Sequence, residues 1–270
     1  MADVFLFIRD GWKIIWKQNT IWLFSALPIL DQLFRAIQIK PEQNLSGSLL
    51  LLVEVFISTI LSLISFIGVP YLAYCFSIDK AVTIQETLIA IRKFSGRVMG
   101  CSCLGFLILS PCIFLALAIS IDNSTQPPQL SNKAVLMFLP FSLFSAIFYF
   151  SLFGFFANDS GIRKSIKDAW ALFTAHFRVL AILGIILVVV FNIYSAAAGI
   201  STVLIQSGFD ITSLSKLDYI NPFTSLSGNV LFVLIYGIGR IIFTVFSASV
   251  FVLAYLKYNG VKISSLMRQR

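Results

Sequence analysis

Charge is scarce in this chain and histidine scarcer: 12% of its 270 residues are Asp, Glu, Lys or Arg, and there is one His. An ordinary soluble domain carries about 25% charge, so the polar side chains here are too few to clothe a water-facing fold of this size. The lone His176 has no second His or Cys beside it, which excludes the usual zinc sets. The cysteines, Cys75, Cys101, Cys103 and Cys112, all fall in or at the edge of apolar runs, where a disulfide framework is not expected. No glycine-rich phosphate cradle and no nucleophile motif is present, so the sequence predicts neither an enzyme nor a cofactor. The net charge of +8 invites a nucleic-acid reading, but no basic stripe interleaved with exposed aromatics supports one.

What the chain has in abundance is apolar length, at 58% of residues. A helix rises about 1.5 Å per residue and the hydrocarbon core of a bilayer is about 30 Å thick, so a span needs roughly 20 mainly apolar residues. Six stretches qualify: Thr20 to Ile37, Leu49 to Ile78, Val98 to Ile121, Ala134 to Ala157, Val179 to Ile205 and Val230 to Tyr258. The expected fold is all-α, a polytopic transmembrane bundle forming a single membrane domain over residues 1–270. The N-terminus opens with an amphipathic stretch rather than a cleavable signal. Short cytoplasmic loops carry excess Lys and Arg, and the basic residues divide accordingly. Arg9, Lys13, Lys17, Lys80, Arg92, Lys93, Arg97, Arg163, Lys164, Lys167, Arg178, Lys257, Lys262, Arg268 and Arg270 fall on one side; Lys40, Lys133 and Lys216 fall on the other. Both termini are therefore expected in the cytoplasm, with the charge excess a topology signal. The sequon Asn123-Ser124-Thr125 reads as chance.

Three cytoplasmic stretches share one design. In the first, Arg9, Lys13 and Lys17 recur at i, i+4 while Phe5, Ile8, Trp12, Ile15 and Trp16 form another face. The second, Thr83 to Arg97, sets Ile84, Leu88, Ile91 and Phe94 against Glu86, Lys93 and Arg97. The third, Ile162 to Arg178, sets Ile166, Ala169, Trp170, Phe173 and Phe177 against Lys164, Lys167, Asp168 and Arg178. Each reads as an interfacial amphipathic helix followed by two spans. Superposing Trp12, Ile89 and Trp170 brings Thr20, Arg97 and Arg178 together, with Asp10, Glu86 and Asp168 just upstream of the anchors. The pattern suggests a three-fold internal repeat over residues 1–78, 79–157 and 158–270. Trp12, Trp16, Trp22 and Trp170 are expected to anchor the chain at the bilayer interface, with the basic residues facing anionic lipid headgroups.

Chemistry is most concentrated in four ionisable residues inside the expected spans: Asp31, Arg35, Glu54 and Arg240. Such charges are costly in lipid and are usually paired or functional. Rise per residue puts Asp31 roughly 14 Å from the inner boundary and Arg240 roughly 16 Å from the outer one, so Asp31 with Arg240 and Arg35 with Glu54 are the natural pairs. Gly237 and Gly239 beside Arg240 permit a close approach of a helix or a ligand. Pro28, Pro70, Pro111 and Pro140 each interrupt a span and free a backbone carbonyl. Two functions stay open. The four charges line a site for a lipid-like or small solute ligand, bound or transported, or they hold helices together in a structural or partner-binding protein without a ligand site.

The runs Gly11-Trp12-Lys13-Ile14-Ile15-Trp16-Lys17 and Thr20-Ile21-Trp22-Leu23-Phe24 resemble the opening of a broad group of bacterial six-span membrane proteins of uncharacterised role. So do Gly161 to Trp170, His176-Phe177-Arg178, and Ala254-Tyr255-Leu256-Lys257-Tyr258. That group is similar to the membrane domain attached to some glycerophosphoryl diester phosphodiesterases. The resemblance implies a six-span helical domain in a bacterial cytoplasmic membrane, and it supplies no catalytic residues.

Overall fold

The structure, a computed structural model, describes residues 2–17, 19–37, 45–122, 129–130, 138–210 and 229–261. Lys40, the sequon, Lys133, Lys216 and the basic residues from Lys262 onward lie outside the described residues, as do the side chains of Arg35, Cys112 and Pro140. Eight helices are described: α1 (Ala2–Lys17), α2 (Asn19–Ile37), α3 (Leu45–Ser77), α4 (Ile84–Ser120), α5 (Phe138–Asn158), α6 (Ile162–Ala175), α7 (Phe177–Gln206) and α8 (Val230–Tyr258). The only extended structure among the described residues is a two-residue antiparallel ladder that pairs Ile121 with Leu130 and Asp122 with Gln129.

Three helical segments, Val53–Ser77, Phe177–Gln206 and Val230–Tyr258, are long and apolar enough to cross a membrane. Within the most apolar stretch of each, only 33%, 28% and 33% of residues are buried inside the protein. The rest, including Phe56, Val189, Ile193 and Ile238, is exposed. A helix apolar all round with so little of it buried is matched to lipid rather than water.

The helices pack as an inner trio and an outer trio. α3, α5 and α8 touch one another at the centre. Around them, α2 wedges between α3 and α8, α4 between α3 and α5, and α7 between α5 and α8, while α2, α4 and α7 make no comparable contact with each other. The amphipathic segments continue the scheme. α1 packs on α8, α6 packs on α5, and the start of α4 packs on α3, where Ile91 meets Gly68. Lipid tails are as apolar as Leu, so these contacts depend on close approach rather than on the hydrophobic effect. Glycine supplies that approach at all three: a Cβ on Gly11 would lie 2.7 Å from Val250, one on Gly154 3.2 Å from the Ser165 hydroxyl, and one on Gly68 3.4 Å from Ile91.

The inner helices also stop alike. Asp79, Asp159 and Gly260 each follow a helix end with positive φ, at 59°, 48° and 68°. Asp and Gly are among the residues that tolerate this conformation. The Lys80 N–H donates back to Cys75 O and the Val261 N–H to Leu256 O, both at 2.9 Å, satisfying carbonyls the helix leaves open. Leu72, Leu152 and Leu253 stand at the same distance before that residue, and all three are buried.

Starts and breaks are equally local. Thr83 and Glu86 form a capping box, the Thr83 N–H donating to Glu86 Oε2 (2.8 Å) and the Glu86 N–H to Thr83 Oγ1 (3.2 Å). Asn229 caps α8 by accepting from the Leu231 and Phe232 amides. At the α6–α7 break, the His176 ring stacks on Tyr258 with centroids 3.7 Å apart. The Thr83 to Arg97 segment runs directly into its span, Ile84–Ser120 being one continuous helix, whereas the Ile162 to Arg178 segment is divided from its span at His176. The amphipathic helices also have three faces rather than two. α1 buries Val4, Phe7, Gly11, Ile14 and Ile15 against the protein while Phe5, Trp12 and Trp16 stay exposed. Likewise, α6 buries Ser165, Ala169 and Phe173 but exposes Trp170. A helix pressed between protein and lipid needs two apolar stripes, and a single-stripe reading merges them.

Candidate site in the helix bundle

A cavity of about 490 Å³ opens between the helices, lined by Ser25 and Pro28 of α2, Thr59, Ser62, Leu63, Ser65 and Phe66 of α3, Met99, Ser102 and Cys103 of α4, Tyr149 of α5, and Arg240 and Thr244 of α8. Each wall is a helical stripe, because residues three and four apart share a face. Ser25 and Ser65 are buried and Arg240, Tyr149 and Thr244 half-buried, so they form the floor. Thr59, Ser62, Phe66, Met99, Ser102 and Cys103 are exposed and form the rim, so the mouth lies between α3 and α4.

Among the described residues Arg240 is the one charged side chain in this lining. Among the described residues its guanidinium has no carboxylate within ion-pair distance. The expected Asp31–Arg240 pair is therefore absent, for a reason of register. Gly237 of α8 is pressed against Ile29 of α2, and the two helices run antiparallel. Arg240 consequently falls on the Ser25 and Pro28 side of that contact, while Asp31 falls on the other, roughly 7 Å away along the axes. Asp31 and Glu54 are half-buried, have interactions of their own and do not line the cavity. Arg35 belongs to α2, with its side chain outside the described residues.

The hydroxyls divide by what they already do. Ser25 donates to Trp22 O (3.0 Å), Thr59 to Val55 O (2.8 Å) and Thr244 to Arg240 O (2.8 Å), so each can only accept from an occupant. Ser62, Ser65, Ser102 and Tyr149 make no hydrogen bond among the described residues and can still donate. None of these was singled out in the sequence. The spacing of Thr59, Ser62 and Ser65 on an otherwise apolar helix was the available signal, but a hydroxyl bonded to its own backbone gives the same pattern.

Behind Arg240, α8 is held by a side chain from α7. The Tyr194 ring lies directly on Gly239, its hydroxyl accepts from the Gly239 N–H (3.1 Å) and donates to Ile235 O. These are the two backbone groups that an unperturbed helix would bond to each other. A side chain in that position bends or opens a helix, and here it fixes the segment from which Arg240 emerges.

The four tryptophans occupy different settings. Trp12, Trp16 and Trp170 are 47%, 62% and 56% exposed. Trp22 is half-buried, and its indole N–H donates to Ile15 O at 2.9 Å, satisfying a carbonyl that the end of α1 leaves open. It is a tie across the α1–α2 break rather than a free anchor.

A second cavity, of about 470 Å³, lies at the other end of α3 and includes Tyr71, Tyr74, Lys80, Glu86, Lys93 and Phe156 in its lining. Two of the charges in its lining, Glu86 and Lys93, are already engaged. Glu86 caps α4, while Lys93 (2.8 Å) and Arg97 (2.5 Å) both bind Asp159. Lys93 first and Arg97 second hold the Asp159 carboxyl below the ordinary aspartate value of 3.8. A depressed folded value means that the contribution to stability is complete above 3.8 and is lost as pH falls through the lower folded value. Asp159→Asn is therefore expected to lower the melting temperature slightly at pH 7 in dilute salt, with the gap to the parent closing below pH 3.8 and at high salt. A gap unchanged at acid pH would remove the ion pair as its source.

Among the described residues no group of three or more His, Cys, Asp and Glu is placed to hold a metal ion. No family model, curated protein or solved structure matches this chain.

Proposed function

We propose that this protein is a six-span integral membrane protein of a bacterial cytoplasmic membrane, built from three repeated units with both termini inside, and that it binds a lipid-like or small solute ligand within its bundle. The observation that carries the ligand reading is a guanidinium that has no carboxylate partner among the described residues, facing an open-sided cavity lined in part by α3 and α8, two helices apolar enough to cross a membrane. A charge held only to join helices would be expected beside its counter-ion. The repeat reading is supported by the cyclic packing, in which each amphipathic segment and each outer helix lies on the inner helix of the preceding unit. The common left-handed ends at Asp79, Asp159 and Gly260 add to it. The topology is supported by the distribution of basic residues along the chain.

Single-cysteine variants at Lys40, Lys133 and Lys216, in a background lacking the native thiols, are expected to react with an impermeant maleimide on intact cells. Cysteines at Asp79 and Asp159 should react only after the cells are opened. Labelling of Asp159 variants on intact cells would refute the orientation. For the ligand, native mass spectrometry of the full chain released gently from detergent should show a bound small amphiphile that is lost in Ser62→Trp, which fills the cavity. Bare protein in both would leave the structural alternative.

A further inference from the structure

The lining restricts the ligand further, on the premise that the cavity does bind one. We infer that the occupant is a monoanionic amphiphile, with its carboxylate or phosphodiester head on Arg240 and its chain leaving between α3 and α4. Three observations converge on that chemistry. First, Arg240 is the only charged group in the lining among the described residues. One guanidinium neutralises one negative charge, and in a low-dielectric site a dianion would leave a second charge uncompensated at high cost. Second, donors other than Arg240 remain at Ser62, Ser65, Ser102 and Tyr149. An anionic oxygen needs such donors, and a planar guanidinium presents its own as a fork that fits a carboxylate or phosphate edge.

Third, the opening suits a tail. A cavity of about 490 Å³ that opens between α3 and α4 can hold a headgroup and the start of a chain while the rest of the chain stays outside. The rim carries Phe66 and Met99, both exposed, on two helices that meet where Ile91 touches Gly68 and leave a mouth lined by Ser62 and Ser102 beyond that crossing. An amphiphile already dissolved in the bilayer can enter sideways through such a mouth without leaving lipid. Met adapts to a variable chain better than a branched residue does.

The test uses the full chain in nanodiscs of zwitterionic lipid, with palmitate, lysophosphatidylglycerol, hexadecanol and acetate as probes. Binding is read by displacement of a fluorescent fatty acid and by protection of the rim thiol Cys103 from maleimide. Palmitate and lysophosphatidylglycerol should bind and protect Cys103, and hexadecanol should bind more weakly by about ten- to hundredfold, the usual worth of a hydrogen-bonded charge. Arg240→Gln should erase that preference without weakening hexadecanol, while Arg240→Lys should keep part of it. Melting curves identify any variant that fails to fold, and in that event the hexadecanol comparison in the parent protein still decides. Equal binding of palmitate and hexadecanol would overturn the anion and leave a lipid cavity. Acetate binding as tightly as palmitate would overturn the chain and leave a simple anion site. Failure of all four probes, with Cys103 equally reactive throughout, would overturn this inference, and the ligand reading beneath it would fall with it only if native mass spectrometry also shows bare protein.

Discussion

Gly239→Val is expected to leave little folded protein, and Tyr194→Ala to relieve most of the damage. The Tyr194 ring occupies the space into which a Cβ on residue 239 would project. It cannot swing away cheaply, because its hydroxyl is bonded to both Gly239 N–H and Ile235 O. Two positions along, Gly237 is pressed against Ile29. Residues two apart on a helix point about 200° from each other, so α8 is clamped between α7 on one side and α2 on the other and cannot shift to make room. Overpacking a close-packed core costs about 1–3 kcal/mol where neighbours can give, and this site sits at or above the upper end. The check is a double-mutant cycle in detergent melts. Gly239→Ala should cost far less in a Tyr194→Ala background than alone, and additive costs would show that the ring and the glycine do not meet. Tyr194→Phe should be mild, since Ile235 O and Gly239 N–H can then bond each other.

The same clamp explains which parts of the site were legible in the sequence. That Arg240 is exceptional could be read directly, because a guanidinium in an apolar run has no ordinary reason to be there. So could the pair of glycines beside it. Its partner could not. The Asp31–Arg240 pairing rested on depth counted from two separate span boundaries. A register set by Ile29 against Gly237 moves one helix past the other by more than a turn without altering a hydropathy plot. The cavity itself depends on where α3 and α4 diverge, and that is a property of crossing geometry rather than of either helix.

The architecture was more accessible. Long apolar runs, the Thr83-to-Glu86 capping box and the amphipathic segments are local properties, and local properties determine helices. What remained hidden was the third face of α1 and α6, since the residues that pack on protein and those left exposed are equally apolar. The likeness of the inner helix ends was hidden for a different reason. Leu72-Ala73-Tyr74 and Leu253-Ala254-Tyr255 are nearly the same, but Leu152-Phe153-Gly154 exchanges the ring and the small residue. Volume at the centre is conserved while the order of residues is not.

That exchange leads to the second large effect. Phe153→Ala is expected to destabilise the protein by about 3–5 kcal/mol, although its helices should persist. Phe153 is fully buried, and its ring lies 6.4 Å from Tyr74 of α3, 5.5 Å from Tyr255 of α8 and 6.2 Å from Tyr149 of its own helix, centroid to centroid. It is thus the ring through which the three inner helices meet. In lipid the loss is one of dispersion contacts and trapped volume rather than of exclusion from water. Each helix keeps its own backbone hydrogen bonds, so far-ultraviolet circular dichroism should be unchanged while the melting temperature falls. The Tyr149 ring also stacks on Phe251 at 5.0 Å and forms part of the Arg240 cavity, so under the proposed ligand function affinity should weaken with it. Phe56→Ala removes an equally large ring that is 66% exposed and should change neither quantity. If Phe153→Ala melts no lower than Phe56→Ala, the inner trio is not what holds the bundle together.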